Sequence, residues 1–404
     1  MDVARLASDL VKINSENPPG NTEEVIRYIS VFLDSLGVRS EILVNRGGRA
    51  NLITEQKEGG LLLCGHVDVV PAVPDEWDFP PCSGKIANGF LFGRGSTDMK
   101  GGCAALLSAY KDLVDRGIEN NAGFLFVCDE ETSGTHGICS IIRKKRLLPC
   151  DVLIAEPTPA LHPTIGEKGL CRLSMAFLGE PGHSSLYPVA GVSAIMEAYR
   201  TISYLNELSG HEYHAGSELD RIIGASSKIL AKILEMPGAE KIFKRIMYNP
   251  GKISGGEKSN VVAEHCSLEL DIRVPWGCSI PELIGDIGRH SPRAAVNIVT
   301  ASDPSLTPAD CPLVAATCGE IEKAYGKPSF PIVQWAASDA RFLRTEGFRV
   351  VEYGPGELKL LHARNERVSV VSLEKARDIY RGIILAMENP AGIEWSDPEK
   401  SPDC

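Results

Sequence analysis

The chain has 404 residues, enough for a large core and more than one typical domain needs, so two domains are expected. Its 42 Lys plus Arg against 53 Asp plus Glu leave a formal charge of −11, which argues against nucleic acid or an anionic membrane as partner and for a small-molecule ligand. With 43% hydrophobic and 24% charged residues it is neither disordered nor fibrous, and no apolar run approaches the roughly 20 residues of a membrane span.

The opening "MDVARLASDLVKINSENPPGN" has no apolar signal-peptide core, which points to a cytoplasmic protein. In "NTEEVIRYISVFLDSLG" the apolar Val25, Ile29, Phe32 and Leu36 recur at helical spacing, with Asn21 or Thr22 as cap and Gly37 as stop. The β-rich runs "NLITE", "LLLCGH", "GFLFVC" and "DVLIAE" follow, and between them the helix "MKGGCAALLSAYKDLVDRG" opens directly after Asp98. Strands that are apolar almost throughout, alternating with helices, predict an α/β domain with a mainly parallel central sheet flanked by helices.

From about residue 172 the style changes. The runs "CRLSMAFLG", "GVSAIMEAYRTISYLNEL", "SNVVAEHCSLELDIRV", "SIPELIGDIGRH" and "AAVNIVTA" read as strand, helix, hairpin-like β stretch, helix and strand. That order is the β-α-β-β-α-β of a ferredoxin-like α+β unit. A mostly helical, charge-rich stretch from about His211 to Tyr248 is interposed as an insertion or lid extension. From about Pro304 the α/β style resumes with the helix "CPLVAATCGEIEKAYG", the strand "FRVVEYG" and the helix "SLEKARDIYRGIILAM", and the tail "SDPEKSPDC" is expected to fray. The expectation is therefore a discontinuous domain of residues 1–171 and 302–404 with a second domain, 172–301, inserted into it. Twelve cysteines are scattered singly with no C-x-x-C pair, which argues for reduced thiols packed as small hydrophobes and against a zinc ribbon or dithiol redox site.

Several ionisable residues fall where chemistry is expected. His66 ends "LLLCGH", Glu130 and Glu131 follow "GFLFVC", Glu156 ends "DVLIAE", and Asp98 precedes a helix. Taken singly each has an ordinary explanation as a cap, a turn or a solvated strand end. Together they map to the carboxyl ends of the strands, where open α/β sheets place their functional crevice.

Carboxylates crowded there repel, so either they take up protons or cations neutralise them. Imidazole with carboxylate suits zinc, with cobalt or manganese as alternatives, and two ions sharing one carboxylate would yield a metal-bound hydroxide near neutral pH. Asp68, two residues from His66 and on the same strand face, is placed to accept the second ring N–H of a metal-bound histidine. Adjacent residues point apart, so one of the Glu130–Glu131 pair binds metal while the other moves protons; Glu131 is taken as ligand and Glu130 as acid/base.

The motifs "GHVDVVP", "LFGRGSTDMKGG", "DEETSG", "AEPT" and "LHARNERV" resemble, in order and spacing, those of the dinuclear zinc amidohydrolases that include acetylornithine deacetylase, succinyl-diaminopimelate desuccinylase, aminoacylase and glutamate-releasing carboxypeptidases. The resemblance spans essentially the whole chain. It implies that Asp98 bridges two metals, that His66 and Glu156 complete one site and Glu131 and His362 the other, and that the Asp98–Met99 peptide is cis. It also implies that His183 in "PGHSS" stabilises an oxyanion in the partner subunit of a homodimer formed through the inserted domain. By the same resemblance Asn260, Arg273, Ser338 and Arg341 contact substrate, with arginine's planar fork suited to a carboxylate. Two departures stand out: "QWAASDARF" places Trp335 where the family often has smaller residues before "SDARF", and the 211–248 stretch exceeds the smallest lids.

The activity so implied is hydrolysis of the amide bond of an N-acyl amino acid. A dipeptidase or carboxypeptidase would use the same metals. A non-catalytic metal-binding regulator would have no need of Glu130, and a thiol enzyme would need a reactive cysteine.

Overall fold

The computed structural model describes residues 2–236 and 238–388; the tail "SDPEKSPDC" lies outside the described residues. The chain divides into two compact units, one comprising Met1–Ile165, Leu306–Ile332 and Ser338–Cys404, the other Gly166–Ser305 and Val333–Ala337.

In the larger unit the strands Gly123–Val127, Leu61–His66, Asp151–Ile154 and Arg349–Glu352 lie side by side in that order and pair in parallel. Ala50–Thr54 and Ser40–Val44 extend one side antiparallel, and Thr164–Glu167 meets Arg349–Glu352 antiparallel on the other. Every residue of Leu61–His66, Gly123–Val127 and Asp151–Ile154 is buried, as expected of parallel strands covered on both faces. The helices Val3–Lys12, Lys100–Asp115, Val370–Met387 and Pro312–Tyr325 pack in series, and Glu23–Asp34 covers the first two strands. The architecture is mixed α/β with a mainly parallel central sheet flanked by helices.

Local chemistry sets the ends of these elements. At the start of Glu23–Asp34, Asn21 Oδ1 accepts the Glu23 N–H at 3.2 Å, while Thr22 Oγ1 bonds both the N–H and the carbonyl of Ala50 at 2.9 Å. The "GG" that follows Asp98 brings its helix close to the sheet: a Cβ on Gly102 would stand 2.3 Å from the Ala155 carbonyl. Only glycine permits that approach, and it draws the segment carrying Asp98 toward the strand exit that carries Glu156.

The smaller unit is a four-stranded antiparallel sheet in the order Met247–Gly255, His265–Val274, Gly169–Leu178, Ala294–Ser302, with the helices Ala194–Leu208 and Ile280–His290. Its chain order is the ferredoxin-like β-α-β-β-α-β. Alternate residues of His265–Val274 are buried, including Leu268, Leu270 and Ile272, which join Leu173, Met175, Ala198 and Leu283 in one core.

The boundaries and the hairpin differ from the sequence reading. Gly169–Leu178 is one continuous strand, so this unit starts before residue 172, and it takes in Val333–Ala337 as well. The hairpin expected within "SNVVAEHCSLELDIRV" instead pairs His265–Val274 with Met247–Gly255, and residues 256–264 form the connection. "MYNPGKISG" was hard to recognise as a strand because it carries a proline and two glycines and is mostly exposed, all of which an edge strand tolerates. The helical insertion therefore ends before Met247, with the helices Ser217–Leu234 and Glu240–Lys244 inside it.

Candidate metal centre

His66 closes its strand almost fully buried. Its Nδ1 lies 2.9 Å from the backbone carbonyl of Asp68, and a carbonyl can only accept, so Nδ1 carries the proton. The free Nε2 faces Asp98 Oδ1 at 3.0 Å and Glu156 Oε1 at 3.6 Å. On the other side of Asp98, Oδ2 lies 3.3 Å from His362 Nε2, which is also 3.1 Å from Glu131 Oε2. The Asp98–Met99 peptide is cis.

Two groups result, His66–Asp98–Glu156 and Asp98–Glu131–His362, each with ligand atoms within 4.8 Å of one another and sharing Asp98. The donor set fits divalent ions: imidazoles with carboxylates, one carboxylate common to both groups, and a buried Glu131 Oε1 with no hydrogen-bond partner.

The electrostatics agree with that fit. Burial, then the charges of Asp98 and Glu130, pushes Glu156 well above the usual carboxylate range; burial and Asp98 raise Glu131. Hydrogen bonds to Asp98 and Glu131 push His362 up to about 10. Burial works against the imidazolium of His66, yet Glu156, Asp68 and Asp98 together raise it. Only Asp98 moves down: burial opposes its ionisation, but its hydrogen bonds with His362 and His66 prevail. Carboxylates crowded and buried in this way repel one another, and a divalent cation among them would relieve that repulsion.

Asp68 departs from its expected role. Its carboxylate stands 3.6 Å from His66 Nδ1, and its carbonyl makes the orienting bond instead. The strand ends at His66, so the period-two alternation no longer governs residue 68. The carboxylate accepts the backbone N–H groups of Glu130 and Glu131, each at 3.2 Å, and Asn17 Nδ2 at 2.9 Å. It thereby holds the turn that presents both glutamates. Asp129, in the left-handed region at φ 71°, closes the same turn by accepting from Thr132 Oγ1 and the His136 N–H. Glu130 belongs to neither ligand group; burial, with Asp339, Glu131 and Asp98 nearby, raises its pKa well above the usual carboxylate value.

Within the smaller unit, the His183 segment pairs with Val261, and the Ser184 N–H donates to the Asn260 carbonyl at 3.2 Å, so His183 and Asn260 lie together. His183 Nδ1 accepts the Ser185 N–H at 3.3 Å, which leaves the proton on Nε2 as a donor. Arg273 Nε donates to Asp271 Oδ1 at 2.8 Å. The Trp335 ring meets Phe243 of the helical insertion edge-on at 6.3 Å.

In the larger unit Ser338 Oγ donates to Glu352 Oε1 at 2.7 Å and accepts the Ala340 N–H. Arg341 is buried, donates to the Ser338 carbonyl at 2.5 Å and stacks over Phe342. Both residues therefore also brace their own segment. Among the described residues every cysteine is free, and burial raises the thiols nearest the centre, Cys103 to about 12 and Cys64 well above its usual value. Neither is a poised thiolate.

Sequence reasoning missed Asn17, Glu366 and the buried Asp339, whose two carboxylate oxygens have no hydrogen-bond partner. Asn17 lies in "SENPPG", a run with no strand or helix periodicity to mark it. Glu366 stands four residues after His362, which was the one available signal.

Imidazole and carboxylate donors at the carboxyl end of a parallel sheet, with a further glutamate beside them, define a metal-dependent hydrolase. Residues 62–386 match peptidase family M20/M25/M40, and the chain belongs to that family, whose members hydrolyse amide bonds. The chain is similar to the acetylornithine deacetylase of Proteus mirabilis, 27% identical over 390 residues and 94% of each chain. It is also similar to the succinyl-diaminopimelate desuccinylase of Psychromonas ingrahamii, 26% identical over 398 residues, covering 94% of this chain and 97% of that one. The M20 family metallo-carboxypeptidase Sso-CP2 from Sulfolobus solfataricus shares the fold, with a TM-score of 0.79 at 21% identity over 97% of this chain and 100% of that chain.

Proposed function

We propose that this hydrolase cleaves the amide bond of an N-acyl amino acid, as a deacetylase or desuccinylase does, releasing a carboxylic acid and a free amine. The observation that carries the reading is the pair of ligand groups sharing Asp98, with Glu130 adjacent but outside both. End-to-end similarity to an acetylornithine deacetylase favours an acylated amino acid over a peptide. Two divalent ions, zinc with cobalt or manganese as alternatives, would be held by His66, Asp98 and Glu156 and by Asp98, Glu131 and His362. When bound, they supply Lewis acidity toward the amide carbonyl and stabilise charge developing on it.

The chain's own residues do the rest. Glu130 takes a proton from the attacking water and delivers it to the departing nitrogen, a task suited to a carboxyl whose pKa is raised. His183, with its proton on Nε2, donates to the developing oxyanion in the partner subunit's site. Asn260, Arg273 and Arg341 bind the substrate's carboxylate, with Ser338 holding the last of them in place. The inserted unit forms the homodimer: Ile195, Met196 and Tyr199 are exposed on one helix, and Met247–Gly255 is an edge strand carrying the exposed Ile253. We place the enzyme in the cytoplasm, a reading supported by free cysteines throughout the described residues. No helix among them is long and apolar enough to cross a membrane.

The test is a hydrolysis panel of N-acetylornithine, N-succinyl-diaminopimelate, other N-acyl amino acids and dipeptides, run with zinc, cobalt and manganese. Release of acetate or succinate, lost with a chelator and unaffected by thiol alkylation, is expected. Cleavage of dipeptides alone would make the enzyme a peptidase of the same family. Two bound ions without hydrolysis of anything on the panel would make it a metal-binding regulator.

A further inference from the structure

Beneath the ligands, one buried carboxylate is tied to two of them at once. Glu366 is fully buried, and its Oε1 accepts the backbone N–H groups of Thr97 at 2.8 Å and Asp98 at 3.1 Å. Its Oε2 accepts Nη1 of Arg94 at 2.6 Å. The same guanidinium donates from Nη2 to the carbonyl of His362 at 3.3 Å and packs over the Trp77 ring. Backbone bonds zip the two segments together: the Gly93 N–H donates to the Glu366 carbonyl, and Thr97 Oγ1 donates to the Arg367 carbonyl. His362 and Asn365 both sit in the left-handed region, at φ 58° and 56°, where a residue other than glycine persists only when its surroundings hold it.

Neither Arg94 nor Glu366 belongs to a ligand group. A buried ion pair is often no more stabilising than apolar side chains of equal size, so stability alone gives no reason for this one. Its geometry does: one side grips the backbone of the shared ligand Asp98, the other the backbone of His362. We propose that Glu366, through Arg94, is a positioning residue that sets the distance between Asp98 and His362 and hence the affinity of the Asp98–Glu131–His362 group for its ion. The proposal rests on the reading of the two groups as metal sites.

The experiment titrates metal-free protein with zinc and, for an optical readout, with cobalt. It compares the wild type, Glu366→Gln, and the double variant Arg94→Met with Glu366→Met. Glutamine keeps an acceptor for the two amides but turns its NH2 group against Arg94. The double variant removes both charges together and so keeps the fold testable where the single variant leaves an unpaired buried arginine. The expected result is two ions per wild-type chain, and in both variants one ion bound as before with the other weakened by about 10–100-fold. The cobalt absorption of the weakened site should change, which a merely structural role would not produce. Two ions held as tightly as in the wild type, with an unchanged cobalt spectrum, would overturn the proposal. A wild type that binds fewer than two ions overturns the metal-centre reading, and the proposal with it, before any variant is compared.

Discussion

At the carboxyl end of the parallel sheet the ligands are held by buried partners: His66 by a carbonyl, Asp98 by Glu366, and Glu131 by Asp68. In the smaller unit His183 and Asn260 stand on turns joined by backbone bonds, and Arg273 pairs with Asp271 of its own strand. The first arrangement is preorganised, so its groups need not move to act on a substrate. The second leaves His183 and Asn260 exposed and Arg273 partly so. His362 lies between the two styles, about half-exposed yet anchored through its carbonyl to Arg94.

The sharpest way to break this contrast is Glu130→Ala. It should leave two bound ions, measured by elemental analysis, while turnover falls by about 10²–10⁴-fold; near-normal turnover would remove Glu130 from the mechanism. His183→Ala should lower kcat by about 10²–10³-fold. Mixing those subunits with Glu130→Ala subunits should restore activity in heterodimers, whereas no recovery despite verified exchange would place His183 in its own chain's site.

Asp68→Asn keeps the carbonyl that orients His66 and removes the charge that faces the Glu130 and Glu131 amides. Activity should drop by about 10–100-fold with metal content retained, and loss of an ion instead would show that the carboxylate, not the carbonyl, sets His66. The smallest effect is expected from Arg273→Ala on the outward-facing side, about a tenfold rise in KM with kcat unchanged. A fall in kcat alone would assign Arg273 to the chemistry rather than to binding.

Much of the larger unit was legible because its signals are local. Apolar runs of strand length that end in His66, or stand within four residues of Glu131 and two of Glu156, state both the strand and the crevice residue in a few letters. The helix after Asp98 was equally plain from its periodicity. Less legible was anything an edge or a turn decides. The Met247–Gly255 strand carries proline and glycines and lacks a clean alternation, and the pleat expected to aim the Asp68 carboxylate at His66 stops at His66 itself.

Residue order and patterning by themselves thus determined the fold class, the ferredoxin-like unit and the identities of the ligand candidates, because strand ends, helix starts and side-chain chemistry are properties of short segments. Tertiary structure alone decided which oxygen orients His66, what holds the glutamate turn and how Asp98 is set against His362. Asn17 reaches Asp68 across 51 residues, Arg94 reaches His362 across 268, and Glu366 reaches Thr97 across 269. No pattern within a segment encodes such pairs, since each exists only once the sheet has brought its strand ends together.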